Sequence, residues 1–490
     1  MKIIQSLKIT TLLYLLIPSV LFLLTWVHLW IGIPCVLFII FFVWKTYQST
    51  FEEQSETRIS SSLLWICLGL SVLINFLLGI GEFRPQTYDF QANNYKYYDL
   101  ITHDLPVYYA QQKTYLCYYT GYYLPTALLA KIFGIESAKY FSFVWTVLGL
   151  WIVLLWIASF QRKNPLFLIL FTILFSNAWV AVKLMTELKL FQEYLRPYYF
   201  QINHFKLINE TFIKNYAWAT QHTLPACLGA CVLIHIFIEK DTFKDLKYPL
   251  IILLSTMFWS PLTAIGLFPF VGFLFLKNAH KLFLQTKWQD LGLMTVLIIS
   301  FSPLLLYFIS TEGIHAKNTE FIWQTGVSEW WILYLIYALF NFIVWGLLLY
   351  FYKNSTQNIW TIAVIFPCLV ALYRIGIYND FNIRVAFPSF FILSILVGIS
   401  LIEKVKIKPV LSPIIITFIA FGSITNINQL YKGIPNAKLL TTIEKPFIFK
   451  AKNMLEFQRV AYEDEEAILE YSLKKNSVFE RYFLKKYHRL

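Results

Sequence analysis

Residues 139–159 read KYFSFVWTVLGLWIVLLWIAS, and no charged side chain follows Lys139 within this stretch. A helix of about 20 such residues is long enough to cross the hydrocarbon layer of a membrane. The whole chain has the same character, since 58% of its 490 residues are hydrophobic and only 14% are charged. Soluble domains carry about 25% charged residues. The composition therefore excludes a soluble globular protein and predicts an all-α fold, a polytopic transmembrane helical bundle.

Other apolar stretches raise the predicted number of crossings to about 13. They lie near 9–28, 30–44, 62–80, 165–183, 218–238, 248–259, 262–276, 291–309, 329–352, 359–374, 386–402 and 409–422. Several of these stretches are short, so two pairs of them are interpreted as bent hairpins. These are 9–44, with a predicted break at Ile33-Pro34, and 248–276, with a predicted break at Ser260-Pro261.

The positions of lysine and arginine predict the orientation. If the N-terminus is cytoplasmic, every short inner loop is basic, as in Arg162-Lys163 and in Lys404, Lys406 and Lys408. These loops account for the net charge of +13, so no nucleic-acid partner is expected. The first apolar stretch lacks a small-residue cleavage site and predicts an uncleaved span. Heavy use of Phe, Ile, Lys, Tyr and Asn favours a bacterium, and therefore its inner (cytoplasmic) membrane.

The predicted organisation is a transmembrane helical domain at 1–422 and a small extracytoplasmic tail at 423–490. Two further segments are predicted on the outer side, an acidic loop at 81–138 and a second loop at 184–217. The stretch 114–134 is apolar enough to cross the membrane, but a crossing there would place the later basic loops outside. We therefore expect it to lie on the outer surface as interfacial helices, which its many tyrosines favour.

Asp89 and Asp99 in the first outer loop are candidate catalytic residues. A carboxylate just above the hydrocarbon layer can have a raised pKa and act as a base. Asn94 and His103 lie in the same loop. A cluster of this kind supports a functional role for these acids about as well as a purely structural one. The structural interpretation is that such acids cap short helices and pair with nearby cations such as Lys96.

Gln221 and His222 are candidate substrate-binding residues, because they lie at the predicted mouth of a membrane helix. Such a pair can donate hydrogen bonds to a phosphate or to a sugar hydroxyl. A capped helix start flanked by aromatic residues explains the same pattern equally well. No set of His and Cys has metal-ligand spacing, so no metal site is predicted.

Four further candidate binding residues lie between two predicted spans, namely Arg374, Asn379, Asp380 and Arg384. Charged groups there are costly unless they are paired or face a polar cavity. Arginine suits phosphate because its planar fork makes two parallel charge-assisted hydrogen bonds. A structural alternative pairs Asp380 with Arg384 one helical turn apart and uses Asn379 as an N-cap. That alternative leaves Arg374 unexplained.

The order of these elements resembles the GT-C glycosyltransferases. An acidic outer loop follows a span, an amphipathic piece ends in LAKIFGIESA at 129–138, and a short basic turn follows the next helix, QRKNP at 161–165. The resemblance covers most of 80–400. The chain is also similar to a group of bacterial multi-spanning proteins without assigned function. The shared motifs are Asp89-Phe90, Asn94, Asp99-Leu100, Pro106-Val107, Gln221-His222, Trp259-Ser260-Pro261, Asn379-Asp380 and Arg384.

The resemblance implies a membrane enzyme that takes a sugar from a polyprenyl-phosphate donor and transfers it to a glycan or lipid acceptor on the extracytoplasmic side. Asp89 would accept the proton of the acceptor hydroxyl, and Asp99 would orient the acceptor or share this role. Arg384, Arg374 or His222 would stabilise the departing phosphate. No cofactor is implied; a divalent cation is compatible with the chemistry, but the sequence offers no clear ligand cage.

Three alternatives stay open from the sequence. A polysaccharide ligase or polymerase has a similar layout but uses two lipid-linked substrates. A transporter or flippase would carry charge near the middle of its spans, discontinuous helices and repeats. A non-catalytic protein of envelope assembly would need none of the candidate residues. The transferase is the favoured hypothesis, because the polar residues gather at one predicted face of the membrane.

Overall fold

The structure is a computed structural model, and it describes most of the chain. The described residues are 3–50, 59–84, 86–176, 207–238, 246–285, 288–314, 319–351, 357–375, 379–403, 423–424, 426–427, 430, 452–462 and 465–486. Helices hold 79% of them, which confirms the all-α prediction.

The helices and strands are numbered here in chain order. The first helices are α1 (Ile3–Thr25), α2 (Leu29–Thr50), α3 (Ser61–Leu77), α4 (Tyr88–Thr102), α5 (Leu124–Phe133), α6 (Ala138–Phe160), α7 (Pro165–Leu174), α8 (Phe212–Trp218), α9 (Thr220–Ile238) and α10 (Lys247–Trp259). They are followed by α11 (Pro261–Lys277), α12 (Ala279–Gln285), α13 (Trp288–Ser300), α14 (Ser302–Ile309), α15 (Trp330–Ala338), α16 (Val344–Phe351), α17 (Gln357–Val370), α18 (Asp380–Ile402), α19 (Met454–Tyr462) and α20 (Val478–Tyr482). The short strands are β1 (Tyr108–Tyr109), β2 (Thr114–Tyr115), β3 (Glu320–Phe321) and β4 (Tyr373–Arg374).

Seven helices of the described ranges are long and apolar enough to cross a membrane. They are Ile4–Thr25, Leu29–Gln48, Ile135–Phe160, Thr220–Ile238, Trp288–Ile309, Trp330–Tyr350 and Asp380–Ile402. The chain is therefore a multi-pass membrane protein. The count of 13 crossings stays a prediction, and the predicted crossing at 409–422 lies outside the described residues.

Helices α1 and α2 form the first antiparallel pair. The chain turns between Trp26 and His28, whereas Pro34 lies inside the continuous helix α2. The predicted break at Ile33-Pro34 is therefore wrong; a membrane helix tolerates proline when its neighbours satisfy the freed backbone groups. At Gly32 a Cβ atom would lie 2.1 Å from the carbonyl oxygen of Leu23, so only glycine allows α2 to approach α1 this closely.

Helices α10 and α11 form a hairpin that breaks at Ser260, as predicted. Helix α10 runs alongside α1, since Tyr248 donates to the carbonyl oxygen of Lys8 (2.8 Å) and the Trp259 indole donates to that of Leu15 (2.9 Å). With 13 residues, α10 is about 20 Å long, too short to cross the bilayer. Helix α11 then returns alongside α9 and α18. The tip of the hairpin is thus buried within the bundle.

An outer layer covers one end of the bundle, here called the tail end because residues 465–486 pack there. Strands β1 and β2 pair through Tyr108 and Tyr115, and an isolated bridge joins Leu116, directly after β2, to Ser472 of the tail. A second bridge joins Thr311 to Leu473. Helix α5 belongs to the same layer, where it packs on α4, and its 10 residues span only about 15 Å.

Candidate functional site

Helix α4 begins the site by presenting polar residues along one face. Asp89 lies in its first turn, where the helix dipole favours a negative charge. Asn93 and Lys96 follow at i+4 and i+7, which places all three residues on the same face. The Lys96 ammonium donates to Asn93 Oδ1 at 3.0 Å. The helix is held at its start by Thr87, whose hydroxyl donates to the carbonyl oxygen of Ala217 at 3.1 Å.

The start of α18 supplies the second group of charges. Asn379 has a left-handed conformation (φ 51°) and caps the helix, because its side chain accepts from the backbone N–H of Asn382. Arg384 Nη2 lies 3.4 Å from Asp380 Oδ1, and its Nη1 donates to Asn215 Oδ1 at 2.6 Å. The structural alternative for Asn379, Asp380 and Arg384 is thus present in the structure. The Asp380 carboxylate is nevertheless 56% exposed, so the pair opens onto the site.

His222 reaches the site from the first turn of α9. Its Nδ1 shares a hydrogen bond of 2.6 Å with the Ser260 hydroxyl at the hairpin tip, and its carbonyl oxygen accepts from Thr263 at 3.0 Å. The ring meets that of Tyr119 edge to face, with centroids 4.8 Å apart. The break at Ser260 therefore fixes a predicted site residue, a role that sequence reasoning had not assigned to it. Gln221 beside it is buried, and its Oε1 has no partner among the described residues.

These groups meet at the tail end in what we call the charged cluster. Its members are Asp89, Lys96, His222, Asp380, Arg384 and Glu470. Asp89 is half-buried, and this desolvation raises its pKa, whereas the charges of Arg384 and Lys96 lower it. The structure thus brings together four residues that sequence analysis had selected from three distant stretches, namely Asp89, His222, Asp380 and Arg384.

Lys96 is a member of the cluster that sequence reasoning treated only as a structural partner. It is 3% exposed, and its Nζ lies 4.3 Å from the ring centroid of Tyr118, 5.2 Å from Tyr123 and 5.7 Å from Tyr471. Burial lowers the pKa of Lys96 to about 7. The i, i+4, i+7 spacing of Asp89, Asn93 and Lys96 is the sequence signal that points to a shared face.

Glu470 is the member that no sequence signal near the other residues could reveal. It comes from the C-terminal tail, and its charge acts on Lys96 and Asp380. Glu470 is exposed at the protein surface, although desolvation by the protein atoms around it raises its pKa to about 7. The cluster therefore combines three carboxylates with two basic side chains and a histidine.

Asp99 lies outside the charged cluster. Ten residues separate it from Asp89 along α4, a distance of about 15 Å. It is fully buried, and its Oδ2 accepts from the Tyr109 hydroxyl at 2.7 Å and from the backbone N–H of Met454 at 2.9 Å. Asp99 thus ties the outer layer to the start of α19. This placement does not fit the predicted role of orienting the acceptor beside Asp89.

Arg374 is held by an ion pair of its own. It lies on β4, pairs with β3, and has its Nη1 3.8 Å from Glu320 Oε1. With Asn379 and Leu207 it lines a small neighbouring cavity. The pair with Glu320 explains how an arginine is accommodated at this position, which the structural alternative from the sequence had left open.

Within the described ranges, no group of three or more His, Cys, Asp or Glu residues is arranged to hold a metal ion. The carboxylates of the charged cluster instead lie among basic side chains.

Comparison with family models, with curated proteins and with solved structures finds no match. The charged cluster is therefore the basis for inferring what the protein does.

Proposed function

We propose that the protein is an integral membrane glycosyltransferase that moves a sugar from a polyprenyl-phosphate donor to a hydroxyl of a glycan or lipid acceptor. The observation that carries this proposal is the charged cluster. A half-buried carboxylate, Asp89, lies within electrostatic range of Arg384 and Lys96 at one end of an apolar bundle. Such an arrangement suits a substrate that has an anionic headgroup on a long apolar chain.

The proposed reaction is a single displacement. Asp89 takes the proton of the acceptor hydroxyl, and the acceptor oxygen forms a bond to the anomeric carbon of the sugar. The bond from that carbon to the phosphate oxygen breaks, and polyprenyl phosphate leaves with the electron pair. Arg384 and His222 would stabilise the negative charge that grows on the phosphate.

The position of Arg384 supports its role in this reaction. Its guanidinium is held from two sides, by Asn215 Oδ1 at 2.6 Å and by Asp380 Oδ1 at 3.4 Å. Its Nε is buried and has no partner among the described residues. A preorganised cation of this kind needs little rearrangement when charge develops beside it.

A second candidate function is the transport of a lipid-linked sugar across the membrane. One observation favours it, namely the broken hairpin of α10 and α11, whose tip contacts His222. Transporters commonly build their substrate sites from such discontinuous helices. The transferase is preferred because the described acidic and basic members of the cluster gather at one end of the bundle.

The test uses the full chain in vesicles with a panel of labelled polyprenyl-phosphate sugars and a mixture of glycan and lipid acceptors. We expect the wild type to release polyprenyl phosphate and to form a labelled product. Asp89→Asn should lose this activity, whereas Asp104→Asn, which removes an exposed carboxylate from the same outer loop, should keep it. Movement of intact donor between leaflets without release of polyprenyl phosphate would support transport instead.

A further inference from the structure

We propose that the C-terminal segment 465–486 contributes to the function of the charged cluster, in which its residue Glu470 is a positioning residue for Lys96. Glu470 would keep the buried Lys96 ammonium compensated while Asp89 accepts a proton. This inference rests on the proposed function for the role of Asp89. The contact between the tail and Lys96 does not depend on that function.

The backbone that follows Glu470 is held by hydrogen bonds to neighbouring segments on both sides. On one side, Cys117 N donates to the carbonyl oxygen of Tyr471 and Leu473 N to that of Tyr115, both at 2.9 Å. On the other side, Glu312 N donates to the carbonyl oxygen of Ser472 at 2.8 Å. Residues 471–473 are therefore hydrogen-bonded through their backbone to neighbours on both sides, and Glu470 directly precedes them.

The far end of the segment is held by the turn between α1 and α2. Lys485 N donates to the carbonyl oxygen of Trp26 at 2.8 Å, and His28 N donates to that of Phe483 at 2.9 Å. The buried ring of Phe479 packs edge to face on Tyr307. The segment is thus fixed at two places, and Glu470 is delivered to the cluster with little freedom.

Lys96 needs a counter-charge because it is buried. Removing an ammonium from water is costly unless a carboxylate or another polar group compensates it. The tyrosine rings supply a weaker cation–π attraction, and Asn93 accepts one hydrogen bond. Tyr471, which directly follows Glu470, has its ring centroid 5.7 Å from Lys96 Nζ. Among the described residues, the carboxylates of Glu470 and Asp89 act on the charge of Lys96.

The proposed reaction makes this arrangement necessary. When Asp89 accepts the acceptor proton, it becomes neutral and no longer compensates Lys96. The Glu470 carboxylate still acts on Lys96 after this step, so the buried ammonium keeps a counter-charge. With Asp89 alone, proton transfer would leave the buried ammonium without a counter-charge.

Other ionisable groups around Glu470, Asp89 and Lys96 also affect the charge states of these three residues. The charge of Asp380 acts on Glu470, which also lies near the phenols of Tyr118 and Tyr119. The charges of Arg384 and Asp380 act on Asp89, and the rings of Tyr123 and Tyr471 also lie around Lys96.

The experiment measures the charge state of Lys96 directly in the purified full chain. Trace acetylation with acetic anhydride across a pH series, read by peptide mass spectrometry, reports the fraction of each lysine that is neutral. In Glu470→Gln we expect the neutral fraction of Lys96, and hence its labelling rate below pH 7, to rise about threefold or more. Glu480→Gln removes a carboxylate from the same segment away from Lys96 and should leave the profile unchanged. An unchanged profile in Glu470→Gln would overturn the inference.

A cross-link shows whether the variant segment is still docked. The Leu116 and Ser472 positions are bridge partners, so cysteines there should form a disulfide in a Cys117→Ser background. We expect this disulfide in the wild-type and Glu470→Gln backgrounds alike. If the disulfide does not form in Glu470→Gln, we use Glu470→Asp instead, because aspartate keeps the acid on a shorter side chain. A docked Glu470→Asp whose Lys96 labelling profile matches the wild type supports the inference. A docked Glu470→Asp whose Lys96 profile matches that of Glu470→Gln contradicts it.

Transfer assays then separate the two proposals. We expect Glu470→Gln to lower kcat more than it changes KM, and Glu470→Asp to restore part of the loss. If Lys96 labelling responds but the wild type transfers no sugar, the positioning role stands and the proposed function fails. If Asp89→Asn abolishes transfer but the pH profile of Lys96 labelling is the same in Glu470→Gln and the wild type, the proposed function stands and this inference fails.

Discussion

Asp89 and Asp99 lie on the same helix, yet their surroundings differ in kind. Asp99 is fully buried and accepts hydrogen bonds from two fixed donors, the Tyr109 hydroxyl and the backbone N–H of Met454. Asp89 is half-buried and faces the charges of Arg384 and Lys96, which come from different elements of the cluster. One carboxylate is therefore committed to holding the structure together, and the other is available for chemistry.

The comparison shows why the type of residue alone does not identify a base. A carboxylate held by donors from the backbone and from a phenol gives up those bonds when it moves or changes partner. A carboxylate whose neighbours are ionic side chains can exchange a proton while the surrounding charges rebalance. The same helix thus carries an anchor at its end and, at its start, the carboxylate that we propose as the base.

The activity should separate the two aspartates most clearly. Asp89→Asn should lower sugar transfer by about a hundredfold or more, because general-base catalysis contributes on this scale. The melting temperature should stay within a few degrees of the wild-type value, since the described residues include no hydrogen-bond donor bound to the Asp89 carboxylate. Transfer assays and thermal unfolding in the same detergent measure both. A variant that transfers normally but unfolds easily would reverse the roles assigned to Asp89 and Asp99.

The next effect concerns stability. Asp99→Ala should lower the free energy of unfolding by about 3 kcal/mol, because the Tyr109 hydroxyl and Met454 N–H lose their acceptor in a buried place. Proteolysis of the tail should accelerate in parallel. Asp104→Ala, which removes an exposed carboxylate close by, is the control and should change little. Equal destabilisation by both variants would contradict the anchoring role of Asp99.

A pH effect follows from the burial of Asp99. Burial raises the pKa of Asp99 to about 7, although its hydrogen bonds to Tyr109 and Met454 oppose the shift. Between about pH 4, the ordinary range of an aspartate, and pH 7, the folded protein holds a proton that the unfolded chain has released. Stability should therefore fall as the pH rises through this interval.

Asp99→Asn should make this pH dependence shallower, because the amide does not titrate. Melting temperatures measured from pH 4.5 to 7.5 provide the check, and Asp104→Asn is the matched control. Glu82, whose pKa burial also raises to about 7, should leave part of the slope in place. An Asp99→Asn slope equal to that of the wild type would show that Asp99 ionises outside this range.

Much of the fold could be predicted from composition and from the ends of the apolar stretches. The break at Ser260-Pro261 was predictable because proline removes a backbone donor and serine is a good N-cap. The grouping of Asp89, His222 and Arg384 followed from a simpler fact, namely that each stands at an end of an apolar stretch on the same predicted side. Hydropathy and charge asymmetry carry this information in a membrane protein.

The rest depended on contacts that sequence spacing does not encode. Asp99 binds Met454, which lies 355 residues later in the chain. Tyr471 and the neighbouring Glu470 are brought to Lys96 by backbone hydrogen bonds of the tail, whose composition predicted only a water-exposed appendage. The turn between α1 and α2 was misplaced because Pro34 is the stronger local signal, whereas the close packing at Gly32 decides the geometry.

The smallest expected effect isolates one hydrogen bond of the anchor. Tyr109→Phe keeps the buried ring and removes only the hydroxyl that donates to Asp99 Oδ2, so the free energy of unfolding should fall by about 1 kcal/mol. Tyr108→Phe is the matched control, because that neighbouring ring is 44% exposed. In a double-mutant cycle with Asp99→Asn, the two changes should be strongly non-additive. Additive effects would mean that Tyr109 stabilises the outer layer through its ring alone. Sugar transfer should survive Tyr109→Phe, since the anchor lies about 15 Å from Asp89.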